Sequence, residues 1–254
     1  MTHRVLVTGL SGLIGSILRP ELERGYEVSA LNRSVVAGIP TTQADIAYED
    51  AIRPAFNGID TVVHLAAKAG GRHPWSDLQT TNIVGTYNVL KLARESNCRR
   101  FIFASSGATV TGYETIEPYQ SIVQGNYSNV SEDFVRIDHK HPVWSSGLYG
   151  STKIWGEAIC RNFADSSEMS VFCVRIGYVN RENKPQKDRD WATWCSQRDV
   201  VNAILACVTT KDPVKFSTFF VTSNNKWGYR DLTHAYDTVG FAPIDAAENY
   251  RESN

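Results

Sequence analysis

Tyr149 and Lys153 stand four residues apart in Gly147-Leu148-Tyr149-Gly150-Ser151-Thr152-Lys153. On a helix that spacing puts both side chains on one face. A tyrosine titrates near ~10 and is a poor base at neutral pH. A lysine ammonium one turn away, with an oxidised nicotinamide beside it, lowers that value and favours phenolate. Tyr149 can then take a proton from a substrate hydroxyl, or return one, while hydride moves. Lys153 would also hold the nicotinamide ribose. Phe101-Ile102-Phe103-Ala104-Ser105-Ser106 reads as a strand ending in hydroxyls, and Ser106 would hydrogen-bond the reacting oxygen.

Such chemistry needs a dinucleotide, and the N-terminal stretch offers a cradle for one. Arg4-Val5-Leu6-Val7-Thr8 is a short apolar run. Glycines follow at 9, 12 and 15, and then Ile14, Ile17, Leu18 and Leu22 recur at helical spacing. This reads as strand, tight turn, helix. Gly9 allows the turn, Gly12 lets the backbone approach a pyrophosphate, and Gly15 lets helix and strand pack closely. The helix N-terminus presents free N–H groups and a positive dipole end to phosphate. Ser11, Leu13 and Ile14 belong to the same cradle. A second strand near 27–31 ends in Asn32-Arg33. An acid there binds a ribose 2′-OH, whereas an arginine accommodates a 2′-phosphate. Asn32 replaces the acid and Arg33 follows, so NAD or NADP is expected, with the balance tilted slightly toward NADP.

Further strands are expected in Thr61–Ala67, which opens into a small-residue loop, in Phe101–Ser106 and in Val171–Gly177, with helical segments between. Alternating strands and helices specify an α/β fold, a doubly wound parallel sheet. The whole chain, 1–254, reads as a single dinucleotide-binding Rossmann domain. Residues 178–254 are expected to add a small substrate-binding part. Residues 113–144 are irregular and polar, and such length suggests a loop insertion serving as a lid or oligomer contact.

Composition narrows the class. The chain has 254 residues, 42% of them hydrophobic, and a formal net charge of −1. Neither a nucleic-acid nor a membrane partner is indicated. There is no signal peptide and no apolar run of ~18 residues, so a cytoplasmic location is expected. Five cysteines, at 98, 160, 173, 195 and 207, form no Cys-x-x-Cys pair and read as reduced thiols. His139 and His141 lie close together, but no Cys or carboxylate pair completes a ligand set, so no metal is expected. Asp199 is expected to cap the helix that follows it, and Asp45 the helical segment 47–56.

The glycine spacing, Thr8–Gly15, resembles that of extended short-chain dehydrogenases/reductases, the sugar epimerase/dehydratase group. His64-Leu65-Ala66-Ala67, Asn82-x-x-Gly85-Thr86-x-Asn88, Ser105-Ser106 and Tyr149-x-x-x-Lys153 extend the resemblance over about two-thirds of the chain. It implies that Asp45 and Ile46 hold the adenine, that Leu65, Ala66 and Ala67 run along the cofactor, and that Asn82 lies on the cofactor side. His64 alone reads as a packed structural residue. Val174-Arg175-Ile176-Gly177, the Asp188–Val201 run, Trp227-Gly228-Tyr229-Arg230 and the short C-terminus look most like the uronate dehydrogenase group. That group oxidises C1 of a hexuronic acid to a lactone. The resemblance makes Ser106, Tyr149 and Lys153 catalytic, places Ile176 at the cofactor, and makes Arg189 the carboxylate holder. Arg189 could instead pair with Asp188 or Asp190 at the surface. The chain departs from the group's pattern at Ala69, Gly107 and Tyr178, so the substrate pocket is altered. A sugar or sugar acid is the expected small-molecule partner, and a homo-oligomer is expected. The alternatives are a sugar epimerase or dehydratase, a neutral aldose dehydrogenase, and a non-catalytic dinucleotide sensor.

Overall fold

The computed structural model describes residues 3–70, 73–211 and 214–251. Seven strands form one sheet: β1 (Arg4–Thr8), β2 (Glu27–Asn32), β3 (Thr41–Gln43), β4 (Thr61–His64), β5 (Arg100–Ser106), β6 (Ser170–Ile176) and β7 (Phe216–Val221). They lie in the order β3-β2-β1-β4-β5-β6-β7, and every pairing is parallel. This is the doubly wound α/β sheet. The central strands read as nearly continuous apolar runs because helices cover both faces. Val5, Leu6, Val7, Val62, Val63, Phe101 and Ile102 are all buried.

On one face, Leu18 and Leu22 of the Leu13–Glu23 helix pack with Val200, Ile204 and Phe241. On the other, Ile52, Val89, Leu90, Cys160 and Phe163 pack together. The chain runs β1 to β3 outward, then returns to β4 beside β1, with Thr8 opposite His64. The carboxyl ends of β1 and β4 therefore flank a topological switch point, where open α/β sheets bind ligands.

Several expectations need correction. Strands β3 and β7 were not foreseen. β3 is only three residues long and wholly polar, so it carries no apolar signal. β7, with the Gln197–Thr209 helix, draws part of residues 178–254 into the main sheet and its core. The segment 113–144 is more ordered than expected. It contains a helix, Tyr119–Val123, and its Tyr119, Ile122, Phe134 and Ile137 pack with Trp227 and Tyr229 in a third apolar cluster. Polar residues between those anchors masked the pattern.

The cap assignments also change. Ser196, not Asp199, caps the Gln197–Thr209 helix, its side chain accepting from the Asp199 N–H at 2.9 Å. The buried Asp199 carboxylate instead accepts from Ser223 Oγ at 2.6 Å and from the N–H groups of Ile244 and Asp245 at 2.8 and 3.2 Å. Asp45 makes a local turn, accepting from Ala47 N–H at 2.9 Å, and the short helix begins only at Glu49.

Candidate active site

The glycine turn is built by backbone bonds. Gly9 N–H donates to Leu31 O at 3.1 Å, and Gly12 N–H to Gly9 O at 3.0 Å. Gly9 has φ of +73°, and a Cβ there would come within 2.9 Å of Ala66. Both facts demand glycine. A Cβ on Gly12 would meet only Gly9 O, at 3.2 Å, so this face of the turn is open. The Leu13–Glu23 helix starts with no side-chain cap, which leaves its first N–H groups free for an anion. The turn thus fits a pyrophosphate.

Thr8 and His64 stiffen the next wall. Thr8 Oγ1 lies 2.7 Å from His64 Nδ1 and accepts from Ala66 N–H at 3.1 Å. His64 Nε2 lies 3.1 Å from Thr86 Oγ1. Burial, and to a lesser degree the Lys153 charge, pushes the imidazole down to about 3, so His64 is a neutral strut. Asn82 is equally structural: its amide clasps the Lys68 N–H and C=O at 2.8 and 3.1 Å and donates to Thr152 Oγ1 at 3.0 Å. It holds the loop after β4 against the Leu148–Asp165 helix.

At the end of β2, the buried Asn32 amide donates to Ser34 O at 2.8 Å and exchanges hydrogen bonds with Ser11 Oγ at 3.1–3.2 Å. Arg33 is exposed, with no side-chain partner among the described residues. Ile46 is buried against Gly85, and Asn88 Nδ2 donates to Ile46 O and Ala47 O at 3.0 Å each.

A cavity of about 770 Å³ runs along the carboxyl ends of the strands. Its first part is walled by Gly9, Gly12, Leu13, Ile14 and Gly15, and then by Leu65 and Ala67. Its middle holds Ser106, Tyr149, Lys153 and Ile176. Its far part holds Ala69, Gly107, Tyr178, Arg189 and Arg230. Ser11, Asn32, Arg33, Asp45, Ile46, Ala66 and Asn82 lie outside this cavity wall.

Tyr149 stands in the first turn of the Leu148–Asp165 helix and Lys153 one turn on. The Lys153 ammonium is buried, donates to Ala104 O at 2.8 Å and sits over the Phe103 ring at 4.7 Å. Burial lowers its titration to about 8, with the Glu157 carboxylate pulling the other way. The expected lowering of Tyr149 by Lys153 alone is not found. Burial pushes the phenol above its ordinary value, and the nearby Ser106 hydroxyl pulls only partly back. Behind Lys153, Glu157 accepts from Arg175 Nε at 2.8 Å and Nη2 at 2.7 Å, and from Ser105 Oγ at 2.5 Å. Tyr149, Lys153 and Glu157 share one helical face at i, i+4 and i+8, a spacing legible in the sequence.

Arg189 reaches the cavity but pairs with neither Asp188 nor Asp190. Its Nε and Nη2 each donate to Glu114, at 2.7 Å. Tyr229 OH donates to the same carboxylate at 2.6 Å. Burial would raise Glu114, but the Arg189 guanidinium outweighs it and holds the carboxyl below its ordinary value. Glu114 carries no local sequence signal, and the Trp227-Gly228-Tyr229-Arg230 run does not by itself mark Arg230 as a cavity residue.

Among the described residues no cluster of three or more His, Cys, Asp or Glu gathers to hold an ion. His141 pairs with Asp138 at 2.7 Å, and His139 stacks on His234 with ring centroids 3.6 Å apart. All five cysteines are free and buried. Among the described residues no helix is long and apolar enough to cross a membrane.

The glycine turn, which fits a pyrophosphate, and the Ser106, Tyr149 and Lys153 side chains line one cavity. Residues 5–190 match the NAD dependent epimerase/dehydratase family, and the chain belongs to it. It is an enzyme of the short-chain dehydrogenase/reductase type. The NAD-dependent glucose-6-phosphate dehydrogenase of Haloferax volcanii is 27% identical over 260 residues, 98% of this chain and 96% of that one. The L-arabinose 1-dehydrogenase (NAD(P)(+)) of the same organism is 26% identical, covering 95% and 96%. The crystal structure of uronate dehydrogenase from Agrobacterium tumefaciens superposes with a TM-score of 0.81 at 28% identity, covering 98% of this chain and 86% of that one.

Proposed function

We propose that the protein oxidises C1 of a cyclic sugar or sugar acid to the lactone, with NAD or NADP. The observation that carries this reading is the convergence of Ser106, Tyr149 and Lys153 in the cavity that the glycine turn opens. The relatives that oxidise free sugars, sugar phosphates and uronates support it.

Gly9, Gly12 and Gly15 would seat the pyrophosphate, with Asn32 and Arg33 near the adenosine ribose and Asp45 and Ile46 at the adenine. Bound nicotinamide supplies the hydride acceptor. Ser106 would hold the C1 hydroxyl through its Oγ. Tyr149 takes the hydroxyl proton as hydride leaves C1, so C1–O becomes the lactone carbonyl. Lys153 would hold the ribose hydroxyls, and its charge together with that of the nicotinamide would favour the phenolate. Ala69, Gly107 and Tyr178 shape the ring pocket, and Arg189 closes its far end as a neutral pair with Glu114.

The test is a panel of aldoses, uronates and sugar phosphates with NAD and NADP, followed at the reduced-nicotinamide absorbance. Net cofactor reduction with lactone formation is expected. No reduction with any sugar, together with interconversion of sugar epimers, would assign the chain to epimerase chemistry. Cofactor binding without any turnover would favour a dinucleotide sensor.

A further inference from the structure

Arg230 is 3% exposed and lies against Gly107, the residue after Ser106, in the cavity wall. A Cβ added to Gly107 would fall on its guanidinium, 2.5 Å from Nη1. Glycine at 107 thus clears the space that the guanidinium fills. Nη2 donates to Tyr229 OH at 2.9 Å and Gly107 O at 3.3 Å. Nε and Nη1 are buried and have no hydrogen-bond partner among the described residues. Three of the five N–H donors of an arginine are carried by those two nitrogens.

The surrounding charge does not balance. Glu114 is gripped through two bonds by Arg189 and lies 3.9 Å from Arg230 Nη2. One carboxylate therefore faces two guanidinium groups, leaving one positive charge on a poorly hydrated wall. A buried donor without a partner carries a desolvation penalty that a ligand acceptor removes. The unspent charge and donors sit on Arg230, whereas those of Arg189 are largely committed.

Resting on the C1-dehydrogenase reading above, we propose that Arg230 is the anion anchor of the substrate pocket. It holds the oxyanion of a sugar that bears a carboxylate or a phosphate and fixes the ring against Ser106. Gly107 and Ser106 are adjacent, with Cα atoms about 3.8 Å apart. An oxyanion on Arg230 and a hydroxyl on Ser106 can therefore belong to one monosaccharide.

The experiment measures binding without turnover. D-glucuronate, D-glucose 6-phosphate and D-glucose are titrated calorimetrically into the NADH complex of wild type, Arg230→Gln and Arg230→Lys. Wild type should bind at least one anionic sugar about tenfold or more tighter than glucose. Which of the two prevails distinguishes carboxylate from phosphate. Arg230→Gln should erase that gap while leaving glucose and NADH affinities unchanged, and Arg230→Lys should restore part of it. In turnover the loss should appear in KM more than in kcat. If Arg230→Gln does not fold, Arg230→Met, which keeps much of the length of the side chain and removes its charge, carries the same test. A gap that survives in the folded variant, an equal loss for glucose, or a wild type without any gap overturns the proposal. Anionic sugars that bind through Arg230 but are not oxidised would sink the dehydrogenase reading and leave the anchor standing.

Discussion

Glu114 occupies the Nε and Nη2 edge of Arg189, with both bonds 2.7 Å long. The guanidinium that faces the sugar pocket is therefore aligned but already neutralised. Glu114→Gln keeps the shape and removes the charge, so the Arg189 fork becomes available to a substrate oxyanion. We expect KM for anionic sugars to fall several-fold, with that for neutral aldoses unchanged. Losing a charge-assisted bond costs about 1–3 kcal/mol, and partial exposure of Arg189 reduces that figure. Steady-state kinetics and a melting curve check both halves. Unchanged discrimination would show that Arg189 does not contact the substrate.

Tyr149→Phe removes the ionisable oxygen and keeps the ring. Turnover should fall by ~10²–10⁴, the usual share of general acid–base catalysis, with NADH binding intact. Near-normal turnover would assign the proton transfer elsewhere.

The pH dependence follows from the same residue. Burial holds the free-enzyme phenol above its ordinary value. Oxidation needs the phenolate, so kcat/KM should climb with pH through the alkaline range and beyond the ordinary tyrosine value. In the ternary complex the nicotinamide charge favours phenolate, so the limb of kcat should lie at lower pH than that of kcat/KM. Coincident limbs in the two profiles would contradict this.

Gly12→Val places a β-branched side chain on the open face of the glycine turn. Calorimetry should show loss of NAD binding with the fold preserved. Affinity equal to wild type would move the pyrophosphate away from this turn.

Arg33 is exposed beside Asn32, whose amide is tied to Ser11 and Ser34. Arg33→Ala should lower kcat/KM for NADP relative to NAD, an effect that weakens with added salt. An unchanged ratio would mean that Arg33 does not read a 2′-phosphate.

Much of this arrangement is legible in the residues. The Gly9–Gly15 spacing follows an apolar strand and opens an amphipathic helix, and Tyr149 and Lys153 follow a strand that ends in Ser105-Ser106. Those signals are local, so periodicity carries them. The substrate end is different. Glu114 meets Arg189 across 75 residues, and Arg230 reaches Gly107 across 123. No spacing rule links positions so far apart. The helix cap shows a subtler failure. Ser196-Gln197-Arg198-Asp199 has the spacing of a capping box, yet the aspartate marks the end of that box and the serine its start. Residues 113–144 look like loop because their apolar anchors, Tyr119, Ile122, Phe134 and Ile137, fall at irregular intervals and pack with residues distant in the chain, Trp227 and Tyr229 among them.

The third apolar cluster divides the labour of the protein. The strands and helices that cradle the dinucleotide draw on the two clusters flanking the sheet. Tyr229, which supports Glu114 and precedes Arg230, belongs to the third, with Val110 and Phe220 at its border with the sheet. Sequence drift in that cluster can re-aim the guanidinium groups while the glycine turn and the Tyr149 helix stay fixed. A lineage built this way changes its sugar by remodelling one side wall and inherits its redox chemistry intact.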